Sequence, residues 1–385
     1  MKKLERRAFL CLLMAAALLA GLMFFIARLE INGAKWSAFY ANRHVYTNGM
    51  LRVGSVSDRG GKLLLQNDKS GAHYSDDSEL RRATYHVAGD LGGNVATAAN
   101  VAFRSKLIGY DPIFGTTGLF RNTGKDLTLT IDADINMAAY RALAGRNGTI
   151  CVYNWRTGEI LAMVSGPSAD PAVKTDGAGS DVPSGTYLNK ALSAVYTPGS
   201  VFKLVTTAAA IEQLEDLNSW TFTCTGRQII GGQEVICSGV HGEINFSEGL
   251  AHSCNIVFGS IAEQLGAKTL ERYARRLGLG ESFDCAGYHT KAGCVDLSNA
   301  DDGDTAWAGI GQYSIAVNPY AYMRFMGILG GGGEAAEPYL VQSITEGDKT
   351  LYSAQRTSTG QLASSTAAEK MATMMHYNVV TVYGT

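Results

Sequence analysis

The chain lacks a basic excess: 33 Lys and Arg stand against 35 Asp and Glu, a formal net charge of -2 over 385 residues. With nothing in surplus to neutralise phosphates, nucleic acid is excluded as the main partner. No internal repeat and no low-complexity tract occurs, so solenoids and compositional linkers are excluded. There is no Cys-x-x-Cys pair and no HExxH, so neither a metal nor a cofactor is expected. A GxSxG elbow is missing too, which leaves an α/β-hydrolase triad nothing to stand on. What is present is ample apolar material, 46% of residues, enough for one large domain and a smaller one.

The N-terminus carries Lys2, Lys3, Arg6 and Arg7 against Glu5, and then Ala8 to Ala27 runs without a charge. Twenty helical residues span about 30 Å, the thickness of a bilayer core. A cleaved signal peptide has a shorter apolar region, roughly 7–15 residues, so the length favours an uncleaved anchor. The basic residues 1–7 are expected to stay cytoplasmic, with 8–27 in the lipid bilayer and everything after Arg28 exported. Outside the membrane disulfides are permitted. Cys224 and Cys237 flank a Gly231-Gly232 turn, and Cys285 and Cys294 bracket a similar loop. Each pair is equally readable as a disulfide or as two buried thiols. Cys151 and Cys254 have no evident partner.

Residues 28–125 are polar, glycine-rich and weakly periodic, with short strand-like pieces such as "KLLLQ" and "ATYHVAG" between turn signals like "SDRGG" and "GDLGGN". "DLTLTIDADINMAAYRALAG" predicts a strand and an amphipathic helix capped by Asp132 or Asp134. Thr149–Asn154 and Glu159–Val164 predict a hairpin around Arg156-Thr157-Gly158. Helices follow at 246–265, 267–277, after "NPYAYMRFMGIL" and in "STAAEKMATMMHYNVV". Early strands followed by a run of helices indicate an α+β fold.

"YTPGSVFKLVTT" places Ser200 and Lys203 at i and i+3, on one face of a helix start. Burial and the positive end of the helix would favour a neutral amine there, able to take the serine's proton. The same serine also suits an ordinary N-cap. Downstream, "AHSCNIVFG" supplies Ser253 and Asn255, a hydroxyl to relay a proton and a carboxamide to hold a substrate amide, or again a capping pair. His252 is expected to be structural or exposed. Gly309, Gly311 and Gln312 fit either a cleft or packing at a helix start.

Taken together, "YTPGSVFK" and, about fifty residues on, "SCN" resemble the active-site set of the class B penicillin-binding transpeptidases. "LTIDADINMAAYRAL", "GTICVYNWRTGEILAMVSGPSADP", "LNKAL", "VHGEINFSEGLAHSCN" and "GIGQYSIAVNP" read like members of that family in the same order. The resemblance implies an irregular β-rich pedestal (28–125) and a serine acyltransferase domain (126–385) with helices around an antiparallel sheet. It assigns Ser200 as acylated nucleophile, Lys203 as base, Ser253 as proton relay and Asn255 as substrate contact. The implied substrates are D-alanyl-D-alanine stem peptides of peptidoglycan, and β-lactams would acylate Ser200. The implied setting is a bacterial cell membrane, single-pass, with the catalytic domain outside and a polytopic glycan polymerase as partner. Cell-wall synthesis in shape or division is the implied role. Two rivals are a β-lactam sensor or β-lactamase, and a non-catalytic anchor or scaffold.

The family's third motif, Lys-Thr/Ser-Gly, does not occur after Asn255. "NDKSG" at Lys69 precedes Ser200, and "VKTDG" at Lys174 is interrupted by Asp176. The expectation is therefore a piece of a longer protein, without three late strands and one oxyanion donor, a loss that typically costs about 10²–10³ in rate.

Overall fold

The computed structural model describes residues 2–39, 53–68, 71–90, 92–107, 110, 125–173, 182–285 and 287–382. The segments quoted at Lys69-Ser70 and Lys174–Gly177 fall outside them, as do the last three residues. Helix α1 (Lys2–Ser37) is solvent-facing along its whole apolar length. Among the described residues it alone is long and apolar enough to cross a membrane, by length and composition.

Strands β1 (Val53–Ser57), β2 (Leu63–Asp68) and β3 (Gly71–Tyr74) form an antiparallel meander. Next comes helix α2 (Ser78–Ala88), which contains most of "ATYHVAG", a stretch expected to be a strand. The Asp77 carboxylate caps it, accepting from the Glu79 and Leu80 amides at 2.8 and 3.3 Å. Leu80, Ala83 and Val87 then fall on one buried helical face, and that periodicity overrides the β-branched and aromatic residues between them. β4 (Asp126–Leu129) lies parallel to β1, pairing Val56 with Leu127 and Ser57 with Thr128. Helix α3 (Ala133–Leu143) is capped by Asp132, one of the two candidates. The predicted hairpin follows as β5 (Gly148–Tyr153) and β6 (Ile160–Gly166), turning at Gly158 with φ 88°.

A helical lobe comes next. Helix α4 (Lys203–Gln213) leads to β7 (Thr221–Cys224), the short hairpin β8 (Arg227–Ile230) and β9 (Gln233–Ile236), and β10 (Gly242–Asn245), which pairs with β7. The single helix expected over 246–265 is two: α5 (Phe246–Ala251) and α6 (Asn255–Leu265), broken at His252–Cys254. An Asn245–Glu248 capping box starts α5, and Ser253 at φ 52° ends any continuation, since a left-handed residue cannot sit inside a right-handed helix. Helices α7 (Ala267–Arg276), α8 (Asp302–Gly309) and α9 (Pro319–Gly330) complete the lobe.

Two late strands were not anticipated. β11 (Val341–Glu346) and β12 (Lys349–Ser353) turn at Gly347, φ 57°, and extend the early sheet to the order β12-β11-β4-β1-β2-β3. Helix α10 (Ser365–Val382) closes the described chain and buries Ala367, Met371 and Met374 in the helical lobe. One core lies under the sheet, around Leu65, Leu80, Leu127, Ile160 and Val341; the other is helical, around Phe202, Val205, Phe258, Leu277 and Phe325. Among the described strands β5 and β6 pair in a ladder only with each other, leaving Val152 of β5 at 39% exposure.

Candidate active site

Pro198 and Gly199 lead into a 3₁₀ turn, Gly199–Phe202, that runs directly into α4. Ser200 is exposed in that turn and caps nothing; its hydroxyl faces Lys203 one turn on. The turn is held by a second loop. Gly199 donates to the Gly311 carbonyl at 3.0 Å, and Tyr196 and Val317 exchange two backbone hydrogen bonds. Gly311 has φ 78°, and a Cβ there would sit 2.1 Å from the Gly199 carbonyl oxygen, so only glycine fits. The "GIGQ" stretch thus packs the Ser200 turn from behind through Gly311, while Gly309 packs against Ala262 of α6.

Lys203 is 1% exposed, beneath Ser200 and 5.7 Å from the Phe258 ring. Its Nζ lies 3.2 Å from Ser200 Oγ, 2.9 Å from Ser253 Oγ, 2.5 Å from the Ser253 carbonyl and 2.8 Å from Asn255 Oδ1. Burial pulls the ammonium down from 10.5 to about 8, while the nearby Cys237 and Cys254 oppose that shift. The break between α5 and α6 is what delivers the partners. With Ser253 left-handed, its carbonyl and hydroxyl both turn toward the amine. Asn255 opens α6 and donates Nδ2 to the Ile236 carbonyl at 2.8 Å, which points Oδ1 at Lys203.

The donor count determines what this amine can do. The Ser253 carbonyl and Asn255 Oδ1 only accept, so they take both N–H groups of a neutral amine. The lone pair is left for a hydroxyl hydrogen from Ser200 or Ser253. The other three predicted residues therefore lie within hydrogen-bond reach of the Lys203 nitrogen. Asn255 meets the lysine through its oxygen, a contact sequence reasoning did not foresee.

Of the two readings left open for each cysteine pair, the structure has the free thiols. All seven are free thiols, so neither Cys224–Cys237 nor Cys285–Cys294 is a disulfide. Cys285 is buried, donating to the Pro338 carbonyl, whereas Cys294 is exposed. Cys254, without an evident partner in the sequence, lies 3.8 Å from Cys237. His252, beside Ser253, is exposed and stacks on His241.

A family model described as the penicillin binding protein transpeptidase domain matches residues 148–385. Among curated proteins the chain is 30% identical over 231 residues to stage V sporulation protein D of Bacillus subtilis, covering 57% of this chain and 35% of that protein. It is 28% identical over 246 residues to peptidoglycan D,D-transpeptidase PbpA of Mycobacterium tuberculosis, covering 57% and 49%. It thus spans about a third to a half of these relatives' length. The crystal structure of M. tuberculosis PBPA superposes with TM-score 0.74 at 24% identity, covering 84% of this chain and 81% of that one. The D,D-transpeptidase domain of a peptidoglycan glycosyltransferase from Eggerthella lenta gives 0.70 at 25%, covering 86% and 82%. With the domain match running over more than half of its length, the chain belongs to the penicillin-binding protein transpeptidase family.

Proposed function

We propose that this chain carries the acylation machinery of a peptidoglycan D,D-transpeptidase, with Ser200 as nucleophile and Lys203 as its base. The observation that supports it most is the buried amine 3.2 Å from the Ser200 hydroxyl, its two acceptor-only partners keeping the lone pair free. In the first step Ser200 Oγ attacks the carbonyl of a D-alanyl-D-alanine peptide bond while Lys203 takes the hydroxyl proton. The resulting ammonium has three N–H groups, and Ser253 Oγ accepts the third. Ser253 then passes a proton to the departing D-alanine nitrogen, and the acyl group stays on Ser200 until an amine of a neighbouring stem peptide displaces it. The Ser200 amide, in the first turn of a helical segment, is the expected oxyanion donor.

A β-lactam presents the same reacting carbonyl, and structures of M. tuberculosis penicillin-binding protein A are acyl-enzyme complexes with ceftriaxone, penicillin G and imipenem. By the same reading residues 8–27 anchor the chain, residues 1–7 lie in the cytoplasm, 28–125 form a pedestal and 126–385 the catalytic unit outside. A polytopic glycan polymerase is the partner the family implies. The test is mass spectrometry of the natural gene product after exposure to penicillin. A stable adduct on Ser200, absent from Ser200→Ala, is expected. No adduct in well-folded protein overturns the reading, and an adduct released within seconds makes the chain a β-lactamase instead.

A further inference from the structure

The break between α5 and α6 leaves a backbone group that the helix itself does not satisfy. At the end of α5 the Glu248 carbonyl accepts from the His252 amide at 2.9 Å, Gly249 from Cys254 at 2.8 Å and Leu250 from Ser253 at 3.0 Å. The next carbonyl belongs to Ala251, a residue only 3% exposed. In a continuous helix its donor would be the Asn255 amide, but that amide turns to Cys237 Sγ at 3.3 Å. A buried carbonyl without a partner is disfavoured. The Asn378 side chain supplies one: its Nδ2 donates to the Ala251 carbonyl from 127 residues further along the chain. A carbonyl only accepts, so the contact itself sets which end of the carboxamide faces it.

The last helix holds that carboxamide in place. Ala367, Met371, Met374 and Asn378 follow one another at four, three and four residues, which puts them on one helical face. The first three are buried, and α10 packs along α5, so apolar contacts fix the face that carries Asn378. Ser253 comes two residues after Ala251, with φ 52°. A serine carries a Cβ, and a left-handed backbone persists at such a residue only where its surroundings hold it. Beyond Ser253 the turn is held by Asn255, whose amide meets Cys237 and whose Nδ2 meets the Ile236 carbonyl at 2.8 Å. Before Ser253 it is held by Asn378.

We propose that Asn378 is a positioning residue for acylation: it clamps the Ala251 peptide and so keeps Ser253 in the conformation that presents its carbonyl and hydroxyl to Lys203. It acts through Ser253 rather than on the reacting atoms. Without the clamp the strained turn relaxes, and the Ser253 oxygens, 2.5 and 2.9 Å from Nζ, move off the amine. The amine then loses an acceptor that aims its lone pair at a hydroxyl, and the proton relay lengthens. Binding of a penicillin in the cleft is untouched, so the loss falls on the chemical step. That kinetic consequence rests on the acylation reading above, whereas the clamp itself does not.

The test compares the natural gene product with Asn378→Leu, which removes the donor, and with Asn378→Asp, which keeps the shape and puts an acceptor in its place. Progress curves with a fluorescent penicillin at pH 8 separate the half-saturating concentration from the maximal acylation rate. Both variants should lower the maximal rate about tenfold and leave the half-saturating concentration unchanged. In a Ser253→Ala background Asn378→Leu should have no further effect, since both changes remove the same contribution. Hydrogen exchange reads the clamp without acylation. The Ser253 and Cys254 amides should exchange at least tenfold faster in either variant, while the β11 amides keep their parental protection. Unchanged exchange at the turn overturns the proposal, as do parental acylation kinetics in both variants or full additivity with Ser253→Ala. Faster exchange at the turn of a protein whose parent form takes no penicillin removes the acylation reading alone and leaves the clamp standing.

Discussion

Lys203 makes the pH dependence of acylation a sharp test. Burial sets its folded pKa at about 8, against 10.5 for an exposed lysine. If the neutral amine is the base, the competent fraction is about one half at pH 8, a tenth at pH 7 and a hundredth at pH 6. The second-order rate of labelling by a fluorescent penicillin should therefore fall about tenfold from pH 7 to pH 6, and rise less than twofold from pH 8 to pH 9. Stability offers an independent reading of the same group. The unfolded lysine binds its proton up to pH 10.5 while the folded one releases it near pH 8, so the unfolded state holds more protons between those values. Stability relative to a Lys203→Met variant should thus rise with pH across that window, by about 3 kcal/mol at most, and stay level below it. Urea melts of both proteins from pH 7 to 10.5 measure the difference. A labelling rate that is flat from pH 6 to 8, or a limb centred near 10.5, would show that the amine is not the base in the form described.

Three further outcomes follow from the geometry. Asn255→Ala frees both Lys203 Nζ and the Ile236 carbonyl, and labelling by fluorescent penicillin should drop about 10²-fold with little change in circular dichroism; an unchanged rate would show that the amide does not orient the base. Gly311→Ala drives a methyl to 2.1 Å from the Gly199 carbonyl at φ 78°, so thermal melts should show a loss of at least 2 kcal/mol with slower labelling, as the Ser200 turn is displaced. Asn245→Ala removes one half of the capping box on α5 and should lower stability by about 1 kcal/mol in a urea titration, with the labelled fraction at saturation unchanged.

Local rules carried much of this structure. The hairpin β5–β6 follows from two apolar runs around Gly158, and α3 from Asp132 followed by an apolar stripe. Ser200 and Lys203 were placed on one face by spacing alone. What sequence reading misses is long-range or depends on a single unusual backbone angle. The split of 246–265 into two helices hangs on Ser253 at φ 52°, a conformation that no propensity foretells. β11 becomes a strand because it finds an open edge on β4, about 215 residues earlier in the chain, and β12 then pairs with β11. α2 reads as a strand until its Asp77 cap and its 3.6-residue burial pattern are seen together. The meeting of Cys224, Cys237, His241 and Cys254 is invisible for the same reason: β7, the loops on either side of His241 and the start of α6 come together only in the fold.

The six-stranded sheet carries a mechanical consequence. Its meander β1–β3 lies toward the apolar N-terminal helix in sequence, whereas β4, β11 and β12 come from the segment that also builds the serine's surroundings. Separating residues 126–385 from the segment before them would break the β1–β4 ladder and leave an open edge on β4, whose Leu127 and Leu129 are buried. Tension that pulls β1 along its length would load the β1–β4 ladder in shear rather than peel it open.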